Sequence, residues 1–225
     1  MTPINQLGYG VAGLNILKAL QVEHSVSLHI MGQPQVTNQA DADAVTKGIE
    51  TSKMFDPEAP CIKIWHQNQM AERVGRGTFI GFPIFELDTF TDLEKHHLNS
   101  CDELMVCSDW ARAVVHNQTK HLPETIHTIP LGVDMDIFKP ATPRNNNKTI
   151  FFNCGKWEVR KGHDILIEAF KMVEAHDPDV ELWMMCSNPF NSPEENAKWH
   201  QLYNHPKIKI IPRAETQQEV YNIMA

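Results

Sequence analysis

Strand-like and helix-like periodicities alternate along this chain from one end to the other, and that alternation limits its fold more than any other feature. Residues 11–21 carry Val11, Leu14, Leu17 and Leu20 three apart, a helical stripe, and residues 24–31 then alternate Val26, Leu28 and Ile30 as a strand does. Strand patterns recur at 61–65, 78–85, 103–107 and 125–129, with helical stretches at 92–99 and 109–118. Thr91 and Glu94 have the spacing of a capping box, and Ser108 is placed to cap the helix that follows it. Strands alternating with helices over such a length predict the α/β class, with a mainly parallel sheet covered on both faces.

Residues 1–130 are therefore expected to form one Rossmann-like domain. Pro130, Pro140 and Pro143, followed by Arg144 to Lys148, make a polar stretch that sustains neither a helix nor a central strand, which places an interdomain linker at 131–148. A second series follows: strand 149–154, helix 162–175, strand 180–186, helix 193–203, strand 207–212 and helix 216–224. Three strands and three helices are fewer than a doubly wound domain of about 100–150 residues contains. The second domain, 149–225, is thus expected to be incomplete, either as a fragment or with a partner chain completing it.

The formal charge of −8 excludes a general nucleic-acid binder, which needs a basic face to displace counterions. No run approaches the roughly 18 apolar residues of a membrane span, and residues 1–10 lack the basic and apolar regions of a signal peptide, so a cytoplasmic location is the default expectation. Five cysteines, each alone in an apolar segment, suggest neither a disulfide framework nor a metal knuckle. The acceptor patterns at Asn117 and Asn147 call for secretion and are set aside.

Two loops carry the chemistry. Gly8-Tyr-Gly-Val-Ala-Gly13 fits G-x-G-x-x-G and opens a helix, so Gly8, Tyr9 and Gly10 can offer backbone N–H groups to an anion. A dinucleotide site would also need a longer strand before the glycines and a carboxylate after the next strand, and Ile30-Met-Gly-Gln-Pro34 supplies none. A tight turn that simply needs glycine is the alternative. The second loop, Gly155-Lys-Trp-Glu-Val-Arg-Lys-Gly162, gathers Lys156, Arg160 and Lys161 between a strand and the start of a helix. Cations are disfavoured by the dipole at that end of a helix, which makes a bound diphosphate a better account than a solvated face.

The second loop and the residues after it, to Phe170, resemble the signature of the large retaining glycosyltransferase family of double-Rossmann (GT-B) fold, which includes sucrose- and glycogen-type synthases and many mannosyltransferases. The Gly8–Gly13 loop, Cys107-Ser-Asp-Trp-Ala-Arg112 and Ile129-Pro-Leu-Gly-Val-Asp-Met-Asp-Ile-Phe-Lys-Pro140 are similar to further segments of that family, in the same order. The resemblance implies a nucleotide-sugar donor held mainly by the second domain and a saccharide, lipid or protein acceptor held by the first. It implies transfer with retention of configuration and without a required metal or cofactor. It makes Lys156 and Lys161 contacts of the donor diphosphate, with Arg160 beside them. His66 then corresponds to a histidine touching the donor sugar, although a structural histidine fits its position equally well. Glu86 and Asp88 read by themselves as a carboxylate pair for acid/base work. The resemblance instead makes Glu86 a cleft residue near the acceptor, and Asp88 suits a helix start.

Two departures accompany the resemblance. Cys186-Ser-Asn-Pro-Phe190 stands where the family commonly has a glycine-rich turn, and the family's pair of donor-gripping glutamates would fall after Ala225. A sugar- or nucleotide-binding module without turnover therefore stays open beside the enzyme, while the missing carboxylate disfavours a dinucleotide-dependent oxidoreductase.

Overall fold

A computed structural model describes residues 1–141 and 148–225, which form two compact units, Met1–Val133 and Asp134–Ala225. Pro143 and residues 144–147 of the expected linker, including Asn147, lie outside the described residues.

Unit 1 holds helices α1 (Gly8–Leu20), α2 (Gln39–Ser52), α3 (Asp92–Leu98) and α4 (Asp109–Gln118) and strands β1 (Cys61–Trp65), β2 (Phe79–Pro83), β3 (Glu103–Val106) and β4 (Ile126–Thr128). The strands pair in parallel in the order β1-β2-β3-β4; α3 links β2 to β3 and α4 links β3 to β4, while β1 reaches β2 through a connection that holds only a 3-10 turn at Gln67–Gln69. Apolar side chains from both layers, among them Phe79, Leu104, Val106, Leu98 and Val115, close the core between the sheet and α3 and α4. The Thr91 hydroxyl accepts the Glu94 N–H, and the Glu94 carboxylate accepts the Thr91 N–H at 2.7 Å, a complete capping box. Ser108 caps α4 by accepting the Ala111 N–H at 3.2 Å.

The segment expected as a strand at 24–31 makes only one ladder contact, a parallel bridge from Ile30 to Thr2. Its Leu28 N–H is diverted to the carbonyl of Gly48 in α2 at 2.9 Å, which removes it from any ladder. The residues that take a strand's place are the first four of the chain. Thr2 exchanges backbone bonds with His29 and Met31, while the Met1 carbonyl accepts the Ile64 N–H at 2.9 Å, so this extended stub lies between the 29–31 segment and β1. Helix α2 escapes sequence reading because its face toward the protein is Val45 and Gly48, too little for a visible stripe.

Unit 2 has strands β5 (Thr149–Gly155), β6 (Val180–Cys186) and β7 (Ile208–Ile210) in parallel order β5-β6-β7, with helices α5 (His163–Glu174), α6 (Pro193–Leu202) and α7 (Gln217–Met224). β6 is central and nearly continuous in apolar residues, as a parallel strand covered on both faces should be. Its core joins Leu182 and Met184 to Ile167, Phe170, Trp157 and Tyr203. Glu181 sits at its margin, bonded by Lys148 and Lys209 at 2.7 Å each and by the Trp183 N–H at 3.0 Å, and these donors pull its carboxyl down to about 2.

Candidate functional site

In unit 1 the expected residues Gly8, Tyr9, Gly10, His66 and Glu86 gather at the carboxyl ends of the strands. α1 starts at Gly8 with no side chain capping it, so the first N–H groups of the helix carry its positive dipole end unneutralised. Gly10 and Gly13 are explained by packing. A Cβ on Gly10 would stand 2.3 Å from the Asn5 nitrogen, and one on Gly13 would stand 1.9 Å from the Thr2 hydroxyl, because the helix rides directly on the stub. Gly8 meets nothing within 4 Å, so no contact within the chain requires a glycine there.

The Tyr9 phenol donates to the Ile84 carbonyl and lies 3.4 Å from His66 Nδ1, so its side chain is engaged along the rim of the sheet. Burial, and secondarily the charge of Glu86, push its hydroxyl up to about 12, which keeps it a neutral donor throughout the working pH range. The Tyr9 ring lies 4.6 Å from that of His66 and 5.3 Å from that of Trp65. His66 is exposed just after β1, and Glu86 is exposed just after β2.

A cavity of about 570 Å³ in unit 1 lies elsewhere. Leu17, Leu20, Leu28, Phe55 and Ile62 line it, at the amino end of β1 and the carboxyl end of α1. Neither Tyr9 nor His66 lines it, and its lining is mostly apolar, so it does not suit a diphosphate.

In unit 2 the loop between β5 and α5 carries Lys156, Arg160 and Lys161. A short 3-10 turn over Val159–Lys161 ends at Gly162, whose φ of 72° is left-handed and natural only for glycine. The Glu158 carboxylate pairs with Lys156 at 2.9 Å and Arg160 at 3.0 Å, and these cations hold its carboxyl below the usual range. Lys156 also sits over the Phe190 ring at 5.2 Å. Lys161 has no carboxylate partner among the described residues, and its ammonium lies 2.7 Å from where a Cβ on Gly155 would be. Gly155 is thus needed both for its φ of 153° and for the space that Lys161 occupies.

The parts that sequence reasoning missed are those that shape this loop. His163, fully buried, accepts the Glu158 N–H at Nδ1 and faces the Asn153 amide oxygen through Nε2 at 3.0 Å. Accepting at Nδ1 fixes the neutral tautomer with its proton on Nε2, and burial lowers the ring's basicity. Tyr203 donates to the His163 carbonyl at 2.6 Å, and Trp157 stacks on Trp199 at 5.6 Å. Asn188 donates to the Trp157 carbonyl at 3.1 Å, so Cys186-Ser-Asn-Pro-Phe190, without a glycine, clamps the loop through its amide. The lone amide of Asn153 inside an apolar strand was the available signal, since a buried amide needs partners.

Among the described residues no cluster of three or more histidine, cysteine or acidic side chains could hold a metal, and no helix is long and apolar enough to cross a membrane.

No family model matches the sequence. Over 106 residues the chain is 27% identical to the MMP α-(1→4)-mannosyltransferase of Mycolicibacterium hassiacum, a match spanning 47% of this chain and 25% of that protein. The crystal structure of a glycosyltransferase from Rickettsia africae is similar over 99% of this chain and 56% of its own length, at 15% identity and a TM-score of 0.52. The crystal structure of TarM is similar over 64% of this chain and 30% of its own, at 18% identity and a TM-score of 0.49. The chain therefore spans about half or less of the length of each of these proteins. Its parallel α/β architecture is the GT-B fold that the family resemblance implies.

Proposed function

We propose that this chain, built on the GT-B fold, is part of a glycosyltransferase that moves a sugar from a nucleotide-sugar donor to an acceptor with retention of configuration. The observation that carries this is Lys161, an ammonium without a carboxylate partner among the described residues, placed beside the φ-positive Gly155 at the carboxyl end of β5. Lys161 and Lys156 would hold the donor diphosphate there, with Arg160 beside them. As the bond from the anomeric carbon to the diphosphate breaks, negative charge grows on the departing phosphate oxygen. Fixed cations stabilise that charge without the reorganisation water would need. The same cations supply what a divalent ion supplies elsewhere, so the proposed reaction requires neither metal nor cofactor. Retention follows when the acceptor hydroxyl approaches on the face from which the diphosphate leaves, its proton passing to the departing oxygen as the new carbon–oxygen bond forms. Five free cysteines suit a reducing compartment, which supports placing the reaction in the cytoplasm.

A binding module without turnover is the second reading. It is favoured by Glu158, which already engages Lys156 and Arg160. Calorimetric titration of the 225-residue chain with uridine, guanosine and adenosine diphosphates and their sugars tests both readings. Binding that falls about tenfold or more in Lys161→Ala supports the donor site, given the worth of a charge-assisted bond. Silence toward every nucleotide in a folded sample overturns it. Release of free nucleoside diphosphate from a bound nucleotide sugar separates the enzyme from the module.

A further inference from the structure

Helices α1 and α2 pack closely at two glycines. A Cβ on Gly13 would overlap the Thr2 hydroxyl, and one on Gly48 would stand 2.7 Å from the Leu28 Cβ, so the helices press on the stub and on the 24–31 segment. With its Leu28 N–H bonded to Gly48, that segment runs outside the sheet until Ile30. The cavity of about 570 Å³ opens there, between residues 24–29, the carboxyl ends of α1 and α2 and the amino end of β1.

Its walls are aliphatic: Leu17 and Leu28 are buried and Leu20 and Ile62 half-buried, while Met54 at its edge is 92% exposed. Methionine is the apolar side chain that adapts best to irregular partners. Ser25 and His29 also line the cavity, and their side chains have no hydrogen-bond partner among the described residues. Burial, and secondarily the Met1 ammonium, lower the basicity of His29, which leaves a neutral ring able to donate and accept. The charged groups of the lining are already engaged. The Asp56 carboxylate accepts the Glu58 N–H at 2.9 Å, and the Met1 ammonium donates to the Ile62 carbonyl at 2.6 Å. Among the described residues no lysine or arginine lines it.

We propose that this cavity binds a single aliphatic chain with an uncharged, hydroxyl-bearing head, at a site separate from any nucleotide or saccharide site. An apolar cavity of about 150 Å³ takes one benzene, so this one, open on one side, has room for on the order of ten to twenty non-hydrogen atoms. A partner's helix is about 10–12 Å across with its side chains, and little more than one turn of it would fit. Water suits the leucine walls poorly, because a buried water needs about two to four polar partners. A carboxylate or phosphate head would lack a free cation, whereas a hydroxyl can pair with Ser25 or His29.

The test titrates the full chain with 1-alkanols from hexanol to dodecanol, followed by saturation-transfer NMR, with decanoate and decyltrimethylammonium as charged counterparts of decanol. Affinity is expected to rise about three- to fourfold with each added methylene, the worth of one buried CH₂. Decanol is expected to bind more tightly than either charged counterpart. Cys61 lines the cavity and is partly exposed, so decanol should slow its alkylation by a maleimide, read by mass spectrometry of its peptide. Leu20→Trp, which fills the cavity, should weaken decanol binding about tenfold, as the loss of roughly two methylene contacts would. Ala19→Trp, at an exposed position of the same helix, should leave it unchanged. Absent decanol binding, tighter binding of a charged counterpart, or binding indifferent to Leu20→Trp overturns the proposal. Should Leu20→Trp fail to fold, a Cys61 unprotected by decanol in the parent chain overturns it alone.

Discussion

The backbone N–H of Glu158 donates to Nδ1 of His163 at 3.1 Å, so the residue that begins α5 holds in place the carboxylate to which Lys156 and Arg160 are paired. A buried neutral imidazole thereby sets the shape of a cationic loop.

Protonating His163 would turn Nδ1 from acceptor to donor and set it against the Glu158 N–H. Its basicity is lowered in the fold, so its contribution to stability is full above the unfolded value near 6.5 and is lost as pH falls through the folded one. Glu181 acts lower: its carboxyl is held down to about 2, so its contribution is full above the usual carboxylate range and is lost as pH falls toward 2. Urea melts of the chain between pH 8 and pH 3 should show two separate losses. His163→Gln should remove the upper one at a cost of about 1–3 kcal/mol at neutral pH, the usual penalty for orphaned buried partners. Glu181→Gln should reduce only the lower one, to which Glu158 also contributes.

Gly10→Ala and Gly13→Ala should each destabilise unit 1 by about 1–3 kcal/mol, since their Cβ atoms would overlap the backbone at Asn5 and the side chain of Thr2. Gly8→Ala should leave the denaturation midpoint nearly unchanged, because nothing lies within 4 Å. A Gly8→Ala variant that keeps its midpoint but loses ligand affinity would show that a ligand comes close to that backbone.

Glu158 competes with any anion for Lys156 and Arg160. Glu158→Gln is expected to strengthen nucleoside diphosphate binding roughly three- to tenfold and to steepen its salt dependence, as removal of a competing carboxylate should. Titration at two ionic strengths checks this; weaker binding would mean that the carboxylate orients the cations more than it neutralises them.

Trp157 Nε1 is buried without a hydrogen-bond partner among the described residues, while its ring stacks on Trp199. Trp157→Phe keeps the stacking and deletes the unpaired donor, so its stability should lie within about 1 kcal/mol of the parent. Trp157→Ala should cost about 3–5 kcal/mol, as large core truncations do, and chemical denaturation distinguishes the two.

The second unit was readable from its sequence almost element by element, because α5 carries a helical stripe and β6 a continuous apolar run that packing agrees with, while Ser192 and Glu195 mark the start of α6. Reading failed where a backbone group's partner was remote. Residues 24–31 have a strand's alternation, yet the Leu28 N–H goes to Gly48, and Met1 to Ile4 have no strand pattern yet take a strand's place. The loop cations were legible as charges between a strand and a helix. Their pairing to Glu158 and the buried His163 behind it were not, since a loop's shape is set by side chains that meet only in three dimensions.

Each pairing in the two sheets is parallel, and even the partners nearest in sequence, Cys61 and Phe79, are 18 positions apart, while Thr149 and Val180 are separated by 31. Among the described residues no hairpin joins neighbouring strands of either sheet, so each rung must wait for a long intervening connection to close. Such a chain is expected to fold in milliseconds to seconds, with strand edges as apolar as β6 exposed in the interim, and its yield during synthesis should depend on temperature and chaperones more than its final stability suggests.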